Sequence, residues 1–122
     1  MNSKILFFGF ISLITFAFAC SRNTTAEIAN IKYEILHDPV IGTEPTLVIA
    51  YTDGLGNTVQ VSGKTGWTKE FSIEKSGRCY SLKCGYGSRQ VTANIYLNNQ
   101  LVVTQKNNNV TFDNAIPASY CY

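Results

Sequence analysis

Features that are common in enzymes and in nucleic-acid-binding proteins are scarce in this sequence of 122 residues. There is one histidine, no C-x-x-C pair and no G-x-S-x-G motif, so neither a common zinc site nor the nucleophile elbow of serine hydrolases is indicated. Only 15% of the residues are charged, and the ten basic residues are scattered along the chain rather than clustered. We therefore predict a protein that is not an enzyme and has no cofactor, no metal and no nucleic-acid partner.

The single histidine, His37, is followed by Asp38 and Pro39. Residues of these types end strands and form turns. A catalytic base would need a reacting group placed beside it, and no motif in the sequence indicates one. We therefore interpret His37 as a turn residue and predict no catalytic residue.

Long apolar runs are missing beyond the N-terminus. Residues 5–19 form the one such run, which follows Lys4 and ends at small residues before Cys20. A charged start and a short apolar segment are the layout of a secretory signal peptide, whereas a membrane-spanning helix needs about 20 apolar residues. The sequence therefore predicts export of the protein.

The end of this run resembles a bacterial lipobox, with Ala17 where such boxes more often have leucine. We expect residues 1–19 to be a lipoprotein signal peptide, Cys20 to carry the lipid, and the polar residues 20–29 to form a tether. The predicted location is the bacterial cell envelope, on the periplasmic or outer-membrane face, with membrane attachment through Cys20. The alternative is cleavage at Ala17-Phe18-Ala19 by ordinary signal peptidase, which would leave Cys20 as a free thiol.

Helical periodicity is absent after residue 29, where runs of β-branched and aromatic residues alternate with turn residues. The predicted strands span residues 31–35, 46–52, 58–61, 67–73, 78–85, 89–97 and 101–106, with shorter extended runs at 110–112 and 118–122. Seven or eight strands at this spacing are typical of an all-β immunoglobulin-like sandwich of two antiparallel sheets. We predict that fold for residues 30–122, with a small closed barrel as the alternative.

If Cys20 is lipidated, three cysteines remain, and they allow one disulfide. Cys79 and Cys84 lie in one predicted strand, about 16 Å apart, beyond the roughly 7 Å limit between bridged Cα atoms. Cys121 must then pair with one of the two. Cys84 shares the strand parity of the apolar positions around it, so we expect a bridge between Cys84 and Cys121; pairing of Cys79 with Cys121 stays open as the alternative.

Aromatic residues offer the clearest candidates for binding. Tyr80, Tyr86 and Tyr96 fall in or beside strands with polar neighbours, and exposed aromatic side chains suit contact with a protein or a glycan. We predict a candidate binding surface at these three tyrosines. The only tryptophan, Trp67, is interpreted as a core residue.

A resemblance to a known family rests on the order and spacing of four sequence blocks: 31–35 (IKYEI), 48–57 (VIAYTDGLGN), 66–71 (GWTKEF) and 91–102 (VTANIYLNNQLV). They resemble the MmpS-like family, the small mycobacterial membrane proteins and related bacterial lipoproteins. The resemblance implies an immunoglobulin-like domain outside the membrane and an accessory role in export of large lipids and siderophores. The chain departs from the mycobacterial members, which are held by an uncleaved helix, in its predicted lipid-anchor cysteine, and from the family pattern in the cysteines at 79, 84 and 121.

We therefore predict a lipid-anchored interaction module of the cell envelope that has a protein partner and is accessory to an envelope transporter. The alternatives are a binder of a glycan or small ligand, and a small inhibitor of a hydrolase. A flat aromatic patch would favour the first function, a pocket of a few hundred Å³ the second. A rigid projecting loop would favour the third.

Overall fold

The structure, a computed structural model, describes residues 25–87 and 89–122. The predicted signal peptide, the predicted lipid-attachment residue Cys20 and the first part of the tether lie outside these residues. The described residues form eight strands: β1 (Ile28–His37), β2 (Leu47–Thr52), β3 (Thr58–Gly63), β4 (Trp67–Glu74), β5 (Cys79–Cys84), β6 (Gln90–Leu97), β7 (Gln100–Asn108) and β8 (Ala118–Cys121). The first strand begins two residues before the predicted start of the domain at residue 30.

The strands form two four-stranded antiparallel sheets, which confirms the predicted all-β sandwich. The first sheet has the order β4-β1-β6-β7, and the second has the order β3-β2-β5-β8. The chain remains within one sheet only at the β2–β3 and β6–β7 hairpins and otherwise passes between the sheets. This arrangement stacks sequence-distant strands face to face, as in immunoglobulin-like domains.

Alternating side chains supply the core between the sheets. Ile31, Tyr33 and Ile35 of β1 are fully buried, while the residues between them are only partly buried. Other large buried side chains come from the facing sheet and from β6, the neighbour of β1 in its own sheet: Leu47, Ile49, Tyr80, Leu82, Val91 and Ile95. Trp67 packs against this core, with its ring centroid 5.6 Å from that of Tyr51, as predicted.

The edge strand β4 carries a charge at a core-facing position. Lys69 has the same parity as Trp67 and Phe71, but it is exposed because no strand covers the outer edge of β4 in the described part of the chain. An inward-pointing charge on an edge strand disfavours edge-to-edge pairing with another chain.

Both hairpin turns follow from local chemistry. Asn98 and Asn99 have φ angles of 48° and 65°, the left-handed values that the two-residue β6–β7 turn requires and that asparagine tolerates. In the β2–β3 turn, Asp53 Oδ1 accepts hydrogen bonds from the backbone N–H groups of Leu55 and Asn57. These bonds hold the pKa of Asp53 below its ordinary value, and the bond from the Asn57 N–H has the largest effect.

The sandwich has two distinct ends. At one end, which we call the tether end, Glu27 forms an ion pair with Lys75 and accepts a hydrogen bond from the Tyr122 hydroxyl. The β2–β3 and β6–β7 turns also lie at this end. At the opposite end, which we call the loop end, lie the connections at residues 38–46, 64–66 and 109–117.

The disulfide joins Cys79 and Cys121, so the predicted bridge between Cys84 and Cys121 is wrong. The antiparallel register of β5 and β8 places Cys79 directly opposite Cys121, and both are exposed on the outer face of the second sheet. Tyr122 N–H bonds to the Arg78 carbonyl, which makes the neighbouring cysteines a non-hydrogen-bonded pair, where opposing side chains approach most closely.

Among the cysteines of residues 25–87 and 89–122, Cys84 is the free thiol, and it lies in the core. The prediction that Cys84 points into the core is confirmed. Cys121, however, lies on the outer face of the sheet, so Cys84 cannot pair with it. Burial raises the pKa of the Cys84 thiol to about 11, so the thiol remains protonated at neutral pH.

The extended run predicted at residues 110–112 is not a strand. Instead, this segment crosses Gly85 so closely that a Cβ atom there would lie 2.5 Å from the Thr111 carbonyl oxygen. It then turns, with Asn114 N–H bonded to the Thr111 carbonyl. The absence of a side chain at residue 85 therefore permits this passage across the sandwich.

Candidate binding site

The three tyrosines of the predicted binding surface do not lie together. Tyr80 is only 1% exposed, because its parity in β5 points it into the core with Leu82; a surface role for Tyr80 was therefore wrong. Tyr86 is half-buried against the core. Tyr96 lies in β6, in the other sheet, and it points to the outer face, because its neighbours Ile95 and Leu97 have the inward parity.

Tyr96 takes part in a polar network on the outer face of the first sheet. Glu34 Oε2 accepts hydrogen bonds from Asn94 Nδ2 at 3.0 Å and from the Tyr96 hydroxyl at 2.7 Å. These bonds hold the pKa of Glu34 below its ordinary value, with the larger effect from Asn94. Lys32 Nζ lies 4.5 Å from the Tyr96 ring centroid. Because its hydroxyl and ring already have these partners, Tyr96 is not a free aromatic platform.

His37 connects two loops at the loop end. Its Nδ1 lies 2.6 Å from the Asp38 carbonyl oxygen, and its Nε2 lies 3.6 Å from Glu44 Oε1. The same carboxylate oxygen accepts a hydrogen bond from Thr65 N–H at 2.9 Å, and Thr65 Oγ1 accepts one from His37 N–H. The contacts attach residues 38–46 to the β3–β4 turn, and His37 itself is the last residue of β1, at the predicted strand end.

A cavity of about 380 Å³ opens at the tether end. It is lined by residues 54 and 55 of the β2–β3 turn, by residues 72–74 at the end of β4, and by Ser76, Arg78 and Tyr80. Ile73 and Tyr80 are almost completely buried and form an apolar floor, whereas Leu55 is 79% exposed at the rim. The cavity has the size of a site for a small ligand, for which volumes start at about 300 Å³.

Arg78 is held in place along the β2–β3 turn. Its Nη1 donates a hydrogen bond to the Gly54 carbonyl at 3.1 Å. A Cβ atom on Gly56 would lie 3.1 Å from Arg78 Nε, and Gly56 has a φ of 89°, so the position suits glycine on both grounds. The exposed Arg78 side chain therefore lies beside this turn at the wall of the cavity.

Glu74, at the exposed end of β4, is also among the residues that line the cavity. Within residues 25–87 and 89–122, neither Arg78 nor Glu74 has an oppositely charged partner within 4.0 Å. The lining therefore combines two charged residues of opposite sign and two serines with an apolar floor. Sequence patterns gave no indication of this combination.

No family model matches the chain, and no curated protein matches it significantly in sequence. In the part of the chain that the structure describes, no helix is long and apolar enough to cross a membrane.

Proposed function

We propose that the protein is a lipid-anchored interaction module of the bacterial cell envelope, attached through Cys20 and accessory to an envelope transporter. The resemblance to the MmpS-like family suggests the transporter, and the A-F-A-C sequence before and at residue 20 suggests the lipid. The observation that carries the proposal is the position of the loops. They lie at the end of the sandwich opposite the point where the chain enters β1.

This arrangement would hold the loops away from the membrane surface. β1 has ten residues, which at about 3.3 Å per residue separate the two ends by about 30 Å. Ile41 in the loop that follows β1 is fully exposed, and Leu36 and Ile116 at the same end are also exposed. Apolar side chains of this kind serve as anchors when a partner protein covers them.

Site-specific photo-crosslinking tests this orientation. We expect a photoreactive phenylalanine derivative at position 41 of the full-length, membrane-attached protein to give a discrete adduct with an envelope protein. The same derivative at Leu55, which is also largely exposed but lies at the tether end, is the matched control and should give no such adduct. Adducts from position 55 alone, or none from either position, would contradict docking through the loop end.

The cavity favours a second candidate function, the binding of a small ligand. Its volume of about 380 Å³ and its mixture of an apolar floor with a few polar groups are typical of ligand sites. The two candidate functions use opposite ends of the molecule, so one protein can perform both.

A further inference from the structure

We propose that the tether end of the sandwich rests on the lipid bilayer and that Leu55 inserts there, at the boundary between headgroups and acyl chains. The partner of this surface is the same bilayer to which Cys20 attaches the chain. The inference rests on the proposed lipid attachment and adds to it a second contact, made by the folded domain itself.

The exposed large apolar side chains of the described residues are confined to the two ends of the sandwich. At the tether end they are Ile28, Leu55 and Leu101, and at the loop end they are Leu36, Ile41, Val48 and Ile116. Within residues 25–87 and 89–122, none of them lies halfway along a strand. Each end, rather than a side of the sandwich, therefore gains from an apolar partner.

Leu55 projects from the β2–β3 turn and does not belong to the buried core. It is 79% exposed, and its neighbours on both sides are the glycines Gly54 and Gly56, which have no side chains to shield it. Two hydrogen bonds hold the turn, one from Leu55 N–H to Asp53 Oδ1 and one from Arg78 Nη1 to the Gly54 carbonyl. A leucine that points into water from a fixed turn is stabilised when an apolar environment covers it.

The length of the tether assigns the bilayer to this end. Glu27 is held on the domain by Lys75 and Tyr122. From Cys20 to Glu27 the chain spans at most about 25 Å when fully extended, and about 15 Å on average as a flexible coil. A lipid on Cys20 therefore keeps the tether end near the headgroups, whereas the loop end lies about 30 Å farther along β1.

The charges at the tether end determine which lipid suits the contact. Among the described residues, this end carries Glu27, Asp53 and Glu74 against Lys75 and Arg78, so it is not basic. Attraction to anionic lipids needs an excess of lysine and arginine, which is missing here. The contact therefore depends on the apolar side chains, and a zwitterionic phosphatidylcholine bilayer is a sufficient partner.

Tryptophan fluorescence in vesicles tests the proposal. The full-length chain is produced in a bacterium, purified in detergent and inserted into phosphatidylcholine vesicles whose acyl chains are brominated near the headgroup. Leu55→Trp should lose more than about half of its added emission, because bromine quenches at short range and interfacial side chains lie about 5–10 Å deep. The emission of the unchanged protein is subtracted; its Trp67 lies at the loop end.

Two exposed positions away from the tether end provide matched controls. Ile41→Trp lies at the loop end, and Gln60→Trp lies halfway along β3. Both should keep nearly all of their added emission, although they carry the same indole with the same preference for interfaces. Leu101→Trp, which is half exposed at the tether end, is a second reporter that should also be quenched if Leu55→Trp fails to fold.

Flotation of the same samples separates this inference from the lipid attachment on which it rests. If the protein does not float with the vesicles, the lipid attachment and the bilayer contact are both wrong. If it floats, but tryptophan at positions 55 and 101 is quenched no more than at positions 41 and 60, the bilayer contact is wrong and the lipid attachment stands.

Discussion

Ile95→Asp is expected to prevent folding. Ile95 is completely buried in β6, which is an interior strand of the first sheet, and it lies opposite Tyr33 of β1. An unpaired carboxylate at this point costs several kcal/mol, and the apolar contacts of the isoleucine are lost as well. The total stability of a domain is only about 5–15 kcal/mol, so the combined loss removes most or all of it.

Circular dichroism and amide NMR spectra of the variant provide the measurement. Thr92→Asp is the matched control, because Thr92 lies in the same strand with the opposite parity and is only partly buried. It introduces the same charge and should leave the domain folded. A native-like spectrum and an unchanged unfolding midpoint for Ile95→Asp would show that β6 does not pack as described.

Loss of the disulfide has the second largest expected effect. The bridge between Cys79 and Cys121 closes a chain segment with a sequence separation of 42, and the chain-entropy model gives a stabilisation of about 4 kcal/mol for such a loop. The bridge also attaches the short strand β8 to β5. We therefore expect a reductant, or the double variant Cys79→Ala/Cys121→Ala, to lower the free energy of unfolding by about this amount.

Denaturant titrations with and without reductant measure the effect, and non-reducing peptide mapping identifies the linked cysteines. Cys84→Ala serves as the control, since Cys84 is the free thiol; the reductant should destabilise this variant as much as the unchanged protein. A peptide that links Cys84 to Cys121, or a midpoint that does not move on reduction, would overturn the described pairing.

Strand parity predicted which face a side chain occupies more reliably than it predicted the partner of that side chain. In β5 it correctly turned Cys84 inward, and the same rule would have placed Tyr80 in the core. In β8, Ala118 is buried, and Cys121, three positions later and so on the opposite face, is exposed. Parity in both strands would therefore have put Cys79 and Cys121 on the outer face. That the two lie directly opposite each other depends on the register between β5 and β8, which cannot be read from either strand alone.

The cavity was not predictable by the same means. The turn at residues 53–57 is evident from its glycines and asparagine, and β4 is evident from its alternation. Glu74 and Arg78, however, line a cavity together with that turn only because β4 belongs to one sheet and the turn and β5 belong to the other. The proximity of these residues depends on how the two sheets stack, and no local sequence pattern encodes it.

Mass spectrometry of the N-terminal peptide, after production of the full-length chain in a bacterium, tests the proposed membrane attachment most directly. We predict a mature chain that begins at Cys20 and carries the mass of a lipid on that residue. An unmodified Cys20, or an intact N-terminus that begins at Met1, would contradict the lipid-anchored module.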